Sequence, residues 1–295
     1  MYKDHKLIVV TPAGRQRYME VLLLFILKNR HVIDEYHIWL NTQVESDIQY
    51  LRGLATQYPD FIKIKEYTDP EKARTNPKLI GDCHNIRYFF QYCIEPNTVY
   101  IRLDDDIVYV EDGFFENLSE FRISNPDYFI VFPLIINNVG ISVILRDKGL
   151  LPEWGKDVGK FSPGHDMEFQ RGGYHPLDGL AWADPHFAWF LHHWFLTLLK
   201  QDQLHTIKFD KVELSDHQYV SINSICWLGS DFAKFNGIVD HDNEEGWMNL
   251  WQPQKLGKIN AVCGNCIVSH FAFYVQRKYL DSSNILDEYR KYSKL

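Results

Sequence analysis

The chain has 295 residues, of which 45% are hydrophobic and 24% charged, which is enough apolar content for a sizeable core and excludes a disordered chain. Its formal net charge is -8, with 31 basic against 39 acidic residues and no Lys/Arg-rich block, so the electrostatic footprint of a nucleic-acid or anionic-membrane partner is missing. The longest unbroken apolar run, residues 21–27, is far short of the roughly 20 residues that cross a bilayer, the start shows no signal-peptide core, and five cysteines do not make a disulfide framework; the expectation is a soluble, cytoplasmic protein with no membrane span.

Taken in chain order, the first half alternates. Residues 7–10 predict a short buried strand, the turn Thr11-Pro-Ala-Gly-Arg15 follows, and residues 18–28 predict a mostly apolar helix. Strands are predicted at 36–40 and 61–66 with a helix at 45–57 between them, then a helix at 81–93 and a strand at 99–103. This β-α order predicts an α/β fold with a mainly parallel central sheet flanked by helices. One more strand is predicted at 128–133. Residues 137–184 are rich in Gly, Pro and polar turns and predict an irregular segment, followed by helices at 185–200 and 279–292. No internal repeat and no low-complexity linker is present.

The most informative feature is Asp104-Asp-Asp106, placed between the apolar runs Thr98-Val-Tyr-Ile-Arg-Leu103 and Ile107-Val-Tyr-Val110. Adjacent carboxylates repel one another, and the end of a strand is a poor place to keep them unless a cation neutralises them. In parallel sheets ligands bind beyond the carboxyl ends of the strands, where both the Thr11 turn and the triplet fall. The turn has Gly14 but neither a dinucleotide fingerprint nor a P-loop. A nucleoside diphosphate would therefore be held through a divalent cation on the aspartates. The plain alternative is a helix cap or a solvated loop.

An apolar strand ending in Asp-x-Asp, Leu103-Asp-Asp-Asp-Ile107, about a hundred residues after an N-terminal strand and a Thr/Arg turn, resembles the GT-A class of nucleotide-sugar glycosyltransferases. The small form brings it nearest to those of large algal viruses of the chlorovirus type. The resemblance implies one GT-A domain over 1–295, with a nucleotide-sugar-binding half at 1–135 and an acceptor-binding half at 136–295. It implies Mn²⁺ or Mg²⁺ on Asp106, with Asp104 and the late His270 completing the metal shell. It also implies that Asp104 faces the donor's ribose or sugar, that Asp105 supports it, and that Thr11, Pro12, Ala13 and Arg15 line the nucleoside pocket. The partners implied are a UDP-sugar, with UDP-xylose a candidate, and a glycan acceptor.

The same resemblance points to Asp240-His-Asp-Asn-Glu-Glu-Gly-Trp247 as the acidic stretch that faces the acceptor. Asp242 or Asn243 would make a good N-cap, which puts Glu244 and Glu245 in the first helical turn and makes them the candidate bases of an inverting transfer, with Asp242 a third candidate. Favourable placement at a helix start explains the same glutamates without catalysis. His270 in an apolar run is, on its own, a hydrogen-bonded core residue, and Cys263 and Cys266 are buried thiols before they are a redox or zinc pair. Arg15, Lys78 and Arg87 are candidates for phosphate contact, with Arg15 preferred. Trp182, Trp227, Trp247 and Trp251 are candidates for stacking on a sugar face. Two rival functions remain open: a sugar-phosphate nucleotidyltransferase, and a carbohydrate-binding protein without catalytic activity.

Overall fold

The computed structural model describes residues 3–67, 83–152, 180–214, 218–241 and 243–293. Among the described residues nine strands form one sheet in the order β3-β2-β1-β4-β8-β6-β9-β5, with β7 pairing separately on β9. Strands β1 (Lys6–Ala13), β2 (Glu35–Leu40), β3 (Ile62–Lys65) and β4 (Thr98–Leu103) are all parallel. Helices α1 (Gln16–Lys28) and α2 (Glu45–Gln57) connect the first three of them. The expected α/β architecture is present, and its parallel half is the N-terminal half.

Beyond β4 the sheet becomes mixed. β8 (Ser224–Leu228) runs antiparallel to β4 and to β6 (Tyr128–Ile136), β9 (Ile259–His270) runs parallel to β6, and β5 (Ile107–Val110) and β7 (Lys211–Leu214) are antiparallel to β9. All nine residues of β6 and all six of β4 are buried, as the centre of a sheet covered on both faces requires. Helices α3 (Phe114–Ser124), α4 (Val139–Asp147), α5 (Pro185–Lys200), α6 (the run Glu244–Gly246, Trp247–Trp251 and Gln252–Leu256), α7 (Tyr274–Asp281) and α8 (Ile285–Arg290) supply much of the rest.

Several expectations need correction. β1 continues through Ala13 instead of turning at Thr11, so the loop proper is Gly14–Arg15. The helix expected at 81–93 is a 3₁₀ helix over Cys83–Tyr92, where Phe89 stacks on Trp39 with centroids 5.4 Å apart. The segment expected to be irregular contains α4, whose N-cap Asn138 accepts a bond from the Ile141 amide. Its Gly140 lies so close to the loop before β8 that a Cβ there would meet the Tyr219 carbonyl oxygen at 2.3 Å. The last helix is two, α7 and α8, broken at residues 282–284.

Candidate functional site

The aspartates leave β4 where its register against β1 runs out. Val10 is level with Arg102, so Gly14 and Arg15 emerge beside Asp105. The Gly14 amide donates to Asp105 Oδ2 at 3.0 Å and Arg15 Nε to the same oxygen at 3.1 Å, while Arg15 Nη2 bonds Oδ1. Arg15 Nη1 also lies 3.1 Å from Asp106 Oδ2. Asp105 and Asp106 are both buried, so Arg15 is the counter-charge that makes this burial tolerable.

His270 arrives from the other side. β5 pairs with β9 so that Ile107 is opposite His270, and the Phe271 amide donates to the Asp106 carbonyl at 2.8 Å. This places His270 Nε2 3.4 Å from Asp106 Oδ1, and among the described residues that buried oxygen has no hydrogen-bond partner. The other ring nitrogen, Nδ1, lies 3.3 Å from the Asn137 carbonyl. With a cation between them, a proton kept on Nδ1 and donated to that carbonyl would free the Nε2 lone pair for the ion, the arrangement of a metal-ligating histidine. Ligand atoms of Asp104, Asp106 and His270 all lie within 4.8 Å of one another. Two carboxylates and one imidazole form a group that could hold a divalent cation, and the orphaned Asp106 oxygen is what such an ion would satisfy.

Electrostatics follow the same pairing. Burial would raise the Asp106 pKa, but Arg15, His270 and Arg277 hold it well below the usual carboxylate range. For Asp105 burial wins over Arg15 and the pKa is raised. Burial opposes a charge on His270, yet Asp106 outweighs it and raises the pKa.

Asp104 is held by a separate set of partners. Its Oδ1 accepts from Arg102 Nε at 3.0 Å and Nη2 at 2.9 Å, its Oδ2 from Asn223 Nδ2 at 3.3 Å, and its own amide donates to the Asn223 carbonyl at 2.8 Å. The remaining arm of Arg102, Nη1, reaches Glu244 Oε1 at 2.5 Å. One buried guanidinium therefore ties the strand end to the start of α6. There Asn243 caps the helix as expected, accepting from the Gly246 amide at 2.8 Å. Glu245 Oε1 accepts from the Ile222 amide at 3.1 Å, and the Tyr219 hydroxyl lies 3.4 Å from its Oε2. Burial raises the Glu244 pKa and pushes that of Glu245 up to about 7.

The structure thus brings Arg15, Asp104, Asp105, Asp106, His270, Glu244 and Glu245 to one end of the sheet. Thr11, Pro12 and Ala13 are buried strand residues leading into it. Asp242, Lys78 and the Gly/Pro-rich stretches at 162–168 and 171–176 lie outside the described residues. Arg87 bonds the Tyr88 hydroxyl at 2.8 Å, and its charge reaches Glu244. Trp227 is core, stacked on Tyr100, and Trp247 is buried with its indole N–H donating to Asp240. Trp182 packs on Tyr274 and Trp251 on His241. Cys263 and Cys266 are buried with their sulfurs 3.5 Å apart.

Four residues of the site escaped sequence reasoning. Arg102 had a usable signal, because strand alternation puts it on the same face as Asp104. Asn223, Tyr219 and Arg277 come from distant segments with no local signature; Arg277 Nη2 lies 3.9 Å from Asp106 Oδ2.

No protein-family model matches the chain, and no curated protein does. Among solved structures it is similar to a 4-diphosphocytidyl-2C-methyl-D-erythritol synthase, at 10% identity over 96% of this chain and 98% of that one, with a TM-score of 0.43. Among the described residues no helix is long and apolar enough to cross a membrane.

Proposed function

We propose that this chain is a metal-dependent glycosyltransferase of the GT-A kind, one domain that takes a sugar from a nucleotide-sugar, a UDP-sugar foremost, and passes it to a glycan hydroxyl. The observation that supports this reading is the convergence of Asp104, Asp106 and His270 at the end of the parallel strands, with the acidic helix start joined to them through Arg102. A divalent cation, Mn²⁺ or Mg²⁺, held by those three side chains would offset the charge that grows on the departing diphosphate.

The chain's own residues do the rest. Glu245, with a pKa near neutrality, suits the task of taking the proton from the acceptor hydroxyl, since the best general base titrates close to the working pH. Glu244 is committed to Arg102 and fixes the position of Asp104. Arg15 holds Asp105 and Asp106 in place and offers charge to a phosphate. A carboxylate acting as base on the acceptor hydroxyl makes the proposed transfer an inverting one.

A panel of nucleotide sugars with Mn²⁺ tests the reading. One donor is expected to stabilise the protein thermally and to be slowly hydrolysed, both in a metal-dependent manner; no response to any UDP- or GDP-sugar sinks the proposal. A second reading, sugar-phosphate nucleotidyl transfer, draws on the same carboxylates together with Arg15 and Arg277, two guanidiniums close enough for Arg15 to depress the Arg277 pKa after burial has done so. Release of pyrophosphate from a nucleoside triphosphate would select it.

A further inference from the structure

The stretch Cys263-Gly-Asn-Cys266 belongs to neither the cation cluster nor the acidic helix start. In a regular strand, side chains three positions apart point to opposite faces and lie about 10 Å from one another. Here the two sulfurs are 3.5 Å apart. The cause is the bulge in β9. Pro133 and Leu134 are consecutive on β6, but their partners on β9 are Cys263 and Ile267, so residues 264–266 leave the ladder and the second cysteine is turned toward the first.

The excursion is held in shape at both ends. The Gly264 amide donates to the Asp210 carbonyl at 3.2 Å, and the Gly264 carbonyl accepts from the Phe209 amide at 3.4 Å. A Cβ at position 264 would meet the Phe209 ring at 2.3 Å, so the close approach requires glycine. The Glu111 amide donates to the Ile267 carbonyl at 3.1 Å, and Glu111 Oε2 accepts from the Ile267 amide at 3.3 Å. The contact between the sulfurs is therefore built into the backbone.

Both thiols are buried, and Asn265 between them is exposed. The two are not equivalent. Their mutual hydrogen bond lowers the Cys263 pKa against burial, with the Asn265 amide and Lys208 adding to it, whereas the same bond and then burial raise that of Cys266. One readily ionised thiol in contact with a second is the arrangement that attacks an oxidant and then resolves the product.

We propose that Cys263 and Cys266 are a reversible dithiol–disulfide site closed by a small oxidant of the peroxide class, with Cys263 as the attacking sulfur and Cys266 as the resolving one. The Cys263 thiolate attacks one peroxide oxygen and the O–O bond breaks. Cys263 becomes a sulfenic acid, and the departing hydroxide takes up the proton that the thiol gave up. The Cys266 sulfur then displaces the sulfenic hydroxyl, which leaves as a second water with the Cys266 proton. One S–S bond forms, and two electrons pass from the thiol pair to the peroxide; a dithiol reductant reverses the change by exchange. The site stands whether or not the cation reading does.

Treating the folded protein with hydrogen peroxide, then alkylating it with N-ethylmaleimide in denaturant and digesting it with trypsin, tests this. Both cysteines fall on the tryptic peptide 259–277. That peptide is expected to become lighter by about 2 Da, to escape alkylation, and to regain both alkylation sites after dithiothreitol. Cys266→Ser is expected to stop at the sulfenic acid, trapped by dimedone on Cys263, and Cys263→Ser to form neither product. A peptide 259–277 that stays doubly alkylated overturns the proposal. So does a disulfide that joins either cysteine to Cys226, or one that forms only at urea concentrations that unfold the chain. The parent protein decides the matter alone should a serine variant fail to fold.

Discussion

Two buried charge clusters at different parts of the sheet make an instructive contrast. Around Asp231, fully buried Arg122 donates to Oδ2 at 2.6 Å, Lys234 reaches Oδ1 at 2.8 Å, and Lys258 bonds both oxygens at 2.7 Å. One carboxylate is surrounded by three cations and both of its oxygens are satisfied. Around Asp104 to Asp106 three carboxylates meet the three guanidiniums of Arg15, Arg102 and Arg277, and among the described residues one buried oxygen of Asp106 has no hydrogen-bond partner. A buried carboxylate with both oxygens satisfied fixes structure, whereas one with an unsatisfied oxygen retains free energy that a ligand can release. A buried carboxylate oxygen left without a hydrogen bond is what separates the candidate site from a structural ion pair.

The largest effect expected from breaking this contrast is at Asp231. Asp231→Ala leaves Arg122, 0% exposed, without its counter-charge, which costs roughly 3–5 kcal/mol of stability. Chemical denaturation measures that loss, and the folded fraction should keep its affinity for Mn²⁺ and nucleotide. Asp106→Asn should behave in the opposite way. It keeps the shape and relieves one like-charge contact with Asp105, but gives up the pairing with Arg15, His270 and Arg277 that holds the carboxyl charged, so the expected stability loss is smaller than that of Asp231→Ala. Transfer should fall on the order of 10²–10³-fold, equivalent to about 3–4 kcal/mol of transition-state stabilisation. A large stability loss in Asp106→Asn, with nucleotide binding intact, would mean that both clusters are structural.

How much of this could be read in the chain divides along the same line. The parallel half was legible because its signals are local: short apolar runs alternate with amphipathic ones, and the helix over 45–57 was placed at its observed bounds. The triplet and the Asn243 cap were legible for the same reason, since each depends on residues within a few positions. What the sequence could not place depends on pairing across long separations. His270 reaches Asp106 only through the antiparallel register of β5 on β9, and β9 carries a bulge between Cys263 and Ile267 that changes the alternation on which a reader relies. Arg277 falls outside the helix that the sequence predicts over 279–292, whereas α7 begins at Tyr274. Glycine at 140 looked like a loop signal but serves close packing against the Tyr219 carbonyl.

Within the candidate site the glutamates allow a finer test. Glu245 titrates near pH 7 in the folded state, raised from about 4.5 by burial. As the base it must be deprotonated, so kcat/KM should rise with pH through an acid limb near 7. Glu245→Gln should lower the rate on the order of 10²-fold and abolish that limb. Stability should respond with the opposite sign. A carboxyl whose folded pKa is raised binds more protons folded than unfolded between about 4.5 and 7, so stability falls as pH rises across that window, by roughly 3 kcal/mol at most. Glu245→Gln should flatten that slope. Glu244→Gln instead loosens Arg102 and should weaken cation and nucleotide binding while leaving the acid limb in place.

The smallest effect belongs to Tyr219, whose hydroxyl lies 3.4 Å from Glu245 Oε2 and 3.3 Å from Asn243 Oδ1. These are long contacts, so Tyr219→Phe should cost only about 0.5–1.5 kcal/mol of stability. Its diagnostic value lies in the direction of a pH shift. A hydroxyl that donates to a carboxylate favours the charged form, and removing it should move the acid limb of kcat/KM upward by less than about one pH unit. The same substitution should leave Mn²⁺ and diphosphate affinities unchanged, because Tyr219 touches the acidic helix start and not the carboxylates at the end of β4. A pH profile that moves while the ligand affinities stay fixed would separate the proton-accepting end of the site from its cation-holding end. A shift in both would make them one electrostatic unit.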